Sequence, residues 1–439
     1  AEQARVRALA DFRRTDISAP GLDSQRGEQR RLLYKELAAR RFQLEARLDK
    51  SGTTDARVSQ LREEIAALRQ QLDRINAEIG AASASTVEKL ASHRSVEVRP
   101  IDLRGIPDDT AIVEYWLGAE RAMAWVLTRE QLDMMDLGPA ATVSDAARTY
   151  HEALRSFGSV DLSERLKAGA TLHHLIVSPV SELISSKRTL LFAPDGVLHY
   201  APFAALRSST AASGRFLVET HDVAVIPSVR ILLDEHRGRA HAPTKNMLLV
   251  TDPVYGPDDS RLARSGATTQ EQEKKASWWP LNLFRGAANT SELRRLPATA
   301  EEASAIVSLL PPSGVDRLEG FAATRDGFLK SELDRYRFIH VASHAVADSE
   351  FPQLSALILS TRDREGREIE GRVMAADFMH VHLSADAVIL SGCDTALGKS
   401  VVGEGLIGLR YVVLARGARA VVGSLWPVPD QATAQLMVR

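Results

Sequence analysis

Two residues in this chain have types and surroundings that could do covalent chemistry: His344 and Cys393. Phe338-Ile339-His340-Val341-Ala342-Ser343 runs into His344, and Ala387-Val388-Ile389-Leu390-Ser391-Gly392 runs into Cys393. A thiol attacks as the thiolate, and an imidazole beside it can take the proton. Attack on a carbonyl builds negative charge on oxygen, and the backbone N–H groups of Cys393 and Ala345 are the candidate donors to it. Glycines at 392, 398, 403, 405 and 408 would let that loop bend closely round a substrate chain. Spacing alone leaves a structural reading open, because a single cysteine is often a buried small hydrophobe. His340, His380 and His382 also compete for any role.

Positioning such a pair requires two neighbouring strands. Strands are expected over Thr189–Ala193, Val223–Ile226, Met247–Thr251, Phe338–Ser343, Ala387–Ser391 and Ala418–Ser424, with helices over Ser144–Phe157, Leu162–Val177, Thr299–Leu309 and Gly405–Ala415. Continuous apolar strands separated by helices predict an α/β fold with a mostly parallel sheet covered on both faces. Its ligands bind beyond the carboxyl ends of the strands, where His344 and Cys393 both fall. Residues 112–117 and 123–127 flank a turn at Gly118-Ala119-Glu120-Arg121, which predicts a β-hairpin. The polar stretch 253–295 reads as an exposed loop or insertion.

Upstream, Val58, Leu61, Ile65, Leu68, Leu72, Ile75 and Ile79 alternate steps of three and four, as do Leu33, Leu37, Leu44 and Leu48 in part. Ser51-Gly52-Thr53-Thr54 separates them and Asp55 can cap the second helix. An antiparallel helical hairpin over residues 1–90 follows, with dimerisation through the same seam as the alternative.

With 55 Lys and Arg against 57 Asp and Glu, the formal net charge is −2. That balance gives no global reason to expect nucleic acid as a partner, and no apolar run is long enough to span a bilayer. One cysteine rules out an internal disulfide and a multi-thiolate metal site, and a reducing cytoplasm is expected. No acidic partner stands at zincin spacing from His173-His174 or from His380-Val381-His382, and the Gly403–Gly408 run lacks the Lys-Ser/Thr of a phosphate loop. No metal and no cofactor are expected. The start at Ala1, without a secretion signal, and the end inside a helix-like run suggest a piece of something longer.

The wording of several blocks adds to this reading. Leu390-Ser391-Gly392-Cys393-Asp394-Thr395-Ala396-Leu397-Gly398, the run into His344, Gly403–Leu409 and Gly417–Asp430 resemble the CHAT domain. This is the caspase-like domain associated with TPR repeats and related to caspases and separases. Ala193–Phe203, Ile226-Pro227-Ser228 and Thr251-Asp252-Pro253 resemble its earlier blocks. A His about 50 residues before the Cys also has the caspase order.

The resemblance implies a CHAT domain over residues 105–439, incomplete at its C-terminus, preceded by the tail of a TPR array. It implies a cysteine endopeptidase with His344 as base and Cys393 as nucleophile, acting on a protein substrate and controlled by a protein partner. Asp394, Glu404, Trp426 and Asp430 are the candidates for substrate contact, and the rival reading is a catalytically weak scaffold. Gly392, Asp394 and Ala396 stand where the family usually has Ala, Glu and Gly. Ala345 stands where it usually has Gly, and a positive φ there would strain the backbone by about 1–2 kcal/mol.

Overall fold

The computed structural model describes residues 56–91, 101–156, 160–229, 232, 242–256, 259–262, 293–311, 313–346, 354–378, 381–391, 398–401, 405–426 and 428–438, with scattered helical positions between 26 and 44. Helix Ala56–Ala91 carries the longer seam. Leu33, Tyr34 and Leu37 pack against Leu68, Leu72 and Ile75. Arg26 pairs with Glu78 at 3.6 Å and Arg40 with Glu64 at 2.6 Å. The partner number falls as the first rises, so the two helices run antiparallel. Leu48 and the break at residues 51–54 lie outside the described residues. The same seam continues onto Tyr255, Leu354, Ala356, Ile358, Met374 and Ala376. The apolar stripe is therefore used within the chain, against the domain that follows.

A first five-stranded sheet comes next. β1 (Thr110–Leu117) pairs antiparallel with β2 (Arg121–Leu127) across the expected turn, and β2 with β3 (Leu132–Pro139). β1 is also parallel to β4 (Thr189–Ala193), which is parallel to β5 (Asp222–Val225). The order is β3-β2-β1-β4-β5. Helices Ala140–Arg155 and Leu162–Ile176 supply Val143, Tyr150, Leu172 and Ile176 to a core with Tyr115, Phe192 and Phe203. The Phe192 and Phe203 rings stack at 4.4 Å. Stacked aromatics of this size dominate the apolar area that a sheet buries.

The second sheet begins with β6 (Lys245–Thr251), β7 (Val315–Glu319) and β8 (Tyr336–Ala342). Just past β8 a small antiparallel sheet branches off, made of β9 (His344–Val346), β10 (Ala356–Ile358) and β11 (Arg372–Met374). β12 (Ala387–Ser391) returns to the main sheet. After the hairpin of β13 (Gly398–Val401) and β14 (Gly405–Gly408), β15 (Val421–Gly423) completes it. The order β15-β12-β8-β6-β7 is parallel throughout. Helix Ala298–Ser308 covers one face through Ala303 and Ile306, against Met247 and Leu249. Phe328, Phe378, Leu409 and Val412 cover the other, against Ile339, Val341, Val388 and Leu390. The fold is α/β with a parallel sheet between helices, as the apolar runs imply.

Two expectations need correction. Gly405–Gly408 is not the start of a helix but strand β14, with the helix confined to Leu409–Ala415. Four residues with two glycines gain little from helical backbone, and pairing with β13 satisfies their polar groups instead. The stretch after β6 is not exposed at its start: Val254 and Tyr255 are fully buried. Val254 N–H donates to Ser360 Oγ, and Thr361 donates from its amide to Val254 O and from its hydroxyl to Tyr255 O. These bonds supply partners for backbone that burial has cut off from water. Among the described residues no helix is long and apolar enough to cross a membrane.

Candidate active site

β8 and β12 are direct neighbours, registered from Phe338 opposite Ala387 to Ala342 opposite Ser391. One step further, Ser343 N–H donates to Ser391 O at 3.3 Å. His344 follows Ser343 at once. Cys393 follows Ser391 by two residues and lies, with Asp394 and Glu404, outside the described residues. The structure therefore places His344 at the carboxyl edge of the parallel sheet, and brings the chain just before Cys393 to the same edge.

His344 opens β9, opposite Ile358. Its amide donates to the Tyr255 hydroxyl at 3.2 Å, and that hydroxyl donates in turn to Ile358 O at 3.1 Å. The Tyr255 and His344 rings meet at 4.9 Å, tilted by 59°. Burial pushes the Tyr255 phenol up, so it stays a neutral donor and acceptor throughout the physiological range. On its other side the imidazole Nε2 lies 2.8 Å from Arg294 O. The ring is partly buried. That burial pushes the imidazole below its ordinary 6.5, and the Arg294 carbonyl, which favours the charged ring, offsets the effect in part.

Ala345 pairs with Leu357 within the β9–β10 ladder. Among the described residues the non-glycine positions with positive φ are Asp252 and Glu332, so Ala345 carries no left-handed strain. A methyl group costs nothing in extended backbone. The condition for strain at this position, a positive φ, is not met.

The remaining sequence candidates fall in different places. Trp426 is partly buried just beyond β15. Asp430 opens helix Asp430–Met437, but its Oδ2 accepts the Ala298 N–H at 3.0 Å and so caps the neighbouring helix Ala298–Ser308. Burial raises the Asp430 carboxyl above its usual range, the Ala298 bond opposes this, and Glu302, Asp252 and Glu301 add to the rise. His340 lies within β8, with Nε2 2.6 Å from Glu302 Oε1, both nearly inaccessible to solvent. It packs towards helix Ala298–Ser308, and a competing role at the sheet edge is not where its contacts lie. His382 precedes β12 by a few residues, and His380 lies outside the described residues. Among the described residues no cluster of three or more His, Cys, Asp or Glu side chains could hold a metal ion.

Sequence reasoning missed Tyr255, Arg294 and Arg295. The block Thr251-Asp252-Pro253 pointed to the right loop, but nothing in it names partners some 40 to 90 positions away. Asp252 is held by a two-point ion pair with Arg295 and by Arg261. Arg295 is raised above its usual range chiefly by that bond.

With the edge assembled, likeness to known proteins becomes informative. The family described as the CHAT domain matches residues 166–439. The chain belongs to the CHAT domain family. The match opens inside helix Leu162–Ile176, yet β1 pairs with β4 and continues through β2 to β3, so the first sheet extends upstream of the matched region. Tetratricopeptide repeat protein 28 of Mus musculus is 26% identical over 305 residues, which is 60% of this chain and 11% of that protein. Its Homo sapiens counterpart is 25% identical over 299 residues, with the same shares. The chain thus spans about a tenth of the length of these curated relatives.

Proposed function

We propose that this CHAT domain is a cysteine endopeptidase that cleaves a protein substrate with the His344–Cys393 dyad. The observation that supports it is the β8–β12 pairing, carried one bond further by Ser343 N–H to Ser391 O. Ser391 stands two residues before Cys393 in the sequence, and two residues of chain reach at most about 7 Å, which supports a dyad at that edge.

In this reading the Cys393 thiol gives its proton to the neutral His344 ring, and the thiolate adds to the scissile carbonyl. The amides of Ala345 and Cys393 donate to the oxyanion. The imidazolium then returns the proton to the leaving amine, the C–N bond breaks, and a thioacyl enzyme remains. Water, deprotonated by the same ring, releases the acid and restores the thiol. A lowered imidazole pKa suits the first step, since the base must be neutral when substrate arrives. Asp394, Glu404 and Trp426 are the residues we assign to substrate contact, the two carboxylates to a basic side chain, whereas the Asp430 carboxylate is taken up by the Ala298 amide.

We assign residues 1–90 to a connector and 105–439 to the protease unit. The relatives' name, tetratricopeptide repeat protein, supports control by repeats or a bound protein upstream. A single cysteine suits a reducing compartment such as the cytoplasm. The test is labelling with a peptide electrophile in the full-length protein. Wild type should label at Cys393, Cys393→Ala should lose that label, and His344→Ala should slow labelling by about 10²–10⁴. Equal labelling of wild type and His344→Ala would remove His344 from the mechanism and leave the scaffold reading.

A further inference from the structure

Asp252 is the first residue after β6 and has φ +47, a left-handed conformation that costs a non-glycine residue free energy unless its surroundings enforce it. The surroundings do enforce it. Arg295 Nε donates to Oδ1 at 2.8 Å and Arg295 Nη2 to Oδ2 at 2.6 Å. Arg261 Nη1 reaches Oδ2 at 2.8 Å, while the same guanidinium donates to Asp252 O and Pro253 O. Thr299 Oγ1 accepts the Asp252 amide at 3.0 Å. Asp252 is 3% exposed. So many bonds on one buried residue fix the direction of its carboxylate.

What that carboxylate holds is the segment laid over the imidazole. Arg295 directly follows Arg294, whose carbonyl meets His344 Nε2 at 2.8 Å. On the other flank, Leu293 packs into the apolar cluster shared by the helical hairpin and the small sheet. A carbonyl can only accept. It therefore selects the neutral ring that carries its proton on Nε2, and leaves the lone pair on Nδ1.

We propose that Asp252 and Arg295 are positioning residues, whose ion pair holds the Arg294 carbonyl against Nε2 and so sets the tautomer and orientation of the His344 ring. A tautomer with a free Nδ1 has one nitrogen ready to receive a thiol proton, and it needs no rotation of the ring to present it. The consequence for catalysis rests on the proposed dyad, but the tautomer itself does not.

The test separates the two. In the ¹⁵N-labelled full chain, ring nitrogen spectra report the tautomer, with His344 identified by its absence in His344→Gln. Wild type should show the Nε2–H form. Arg295→Ala should lower the ratio of Nε2–H to Nδ1–H about threefold to tenfold, the worth of one hydrogen bond. Arg295→Lys should recover part of the loss. Asp252→Asn keeps a side chain that tolerates left-handed backbone and should act like Arg295→Ala. If Asp252→Asn does not fold, Arg295→Ala and Arg295→Lys decide, because the Arg295 side chain is 39% exposed whereas Asp252 is buried. An unchanged ratio in folded Arg295→Ala overturns the proposal.

Alkylation of Cys393 by iodoacetamide is read alongside. A tautomer shift with unchanged alkylation supports the positioning role and removes the dyad. Slower alkylation with an unchanged tautomer overturns the positioning role and leaves the dyad standing.

Discussion

The two five-stranded sheets each set a buried aspartate just past the carboxyl end of a strand, and they use it differently. Asp195, two residues after β4, accepts the Leu117 N–H at 2.9 Å and closes the first sheet onto its own hairpin. The helical turn Gly196–Tyr200 follows at once. Asp252, one residue after β6, holds two guanidinium groups, and through Arg294 it reaches a titratable ring at the next strand's end. Position at a strand end is shared. What marks the second sheet is that the bonds of its aspartate lead on to an imidazole.

The comparison can be broken by paired truncations. Phe203→Ala in the first sheet and Tyr255→Ala beside His344 each delete a fully buried ring and should cost about 3–5 kcal/mol. Unfolding midpoints should fall together, but only Tyr255→Ala should slow alkylation of Cys393 per folded molecule. Equal slowing by both would show that the sheets act as one unit. Leu37→Ala, in the hairpin, should cost about 2–5 kcal/mol and be read as release of the hairpin to proteolysis before the rest unfolds.

Smaller changes sharpen the contrast. Asp195→Ala orphans the Leu117 amide and should cost about 1–3 kcal/mol, with no effect on the His344 tautomer. Tyr255→Phe keeps the ring contact but leaves the His344 N–H without its acceptor, and should destabilise by a similar or lesser amount.

The subtlest test is pH. Burial lowers His344, so the acid limb of Cys393 alkylation should lie below 6.5 and vanish in His344→Ala. The sign for stability is the same. A histidine with a folded-state pKa below its unfolded value gives stability present above 6.5 and lost as pH falls towards the folded value. An acid limb above 6.5 would contradict the burial of the ring.

Much of the frame was legible because apolar continuity is a local signal. Thr189–Ala193 and Ala387–Ser391 appear with the bounds their runs suggest, and the helix expected over Leu162–Val177 ends one residue early. β3 was missed because four of its eight residues, Leu132, Met134, Asp136 and Pro139, are exposed and polar and apolar types are mixed. The strand at Gly405–Gly408 was hidden by the helical pattern that follows it. The site was legible only as two strand ends. Tyr255 to His344 spans 89 positions and Arg294 to His344 spans 50, and no pattern along the chain encodes such meetings. At Ala345 the residue type left open whether the backbone is left-handed, and the strand His344–Val346 decides that it is not.

The helical hairpin shares one apolar cluster with Tyr255, Leu293 and Val346, each next to or touching the surroundings of His344. Thermodynamic linkage makes any such contact a two-way street. If tension or a partner on the hairpin alters the hold on the ring, then a covalent adduct at the sheet edge must alter the grip on the hairpin by the same free energy. A probe attached to the upstream helices could thus read the occupancy of the far end without seeing it.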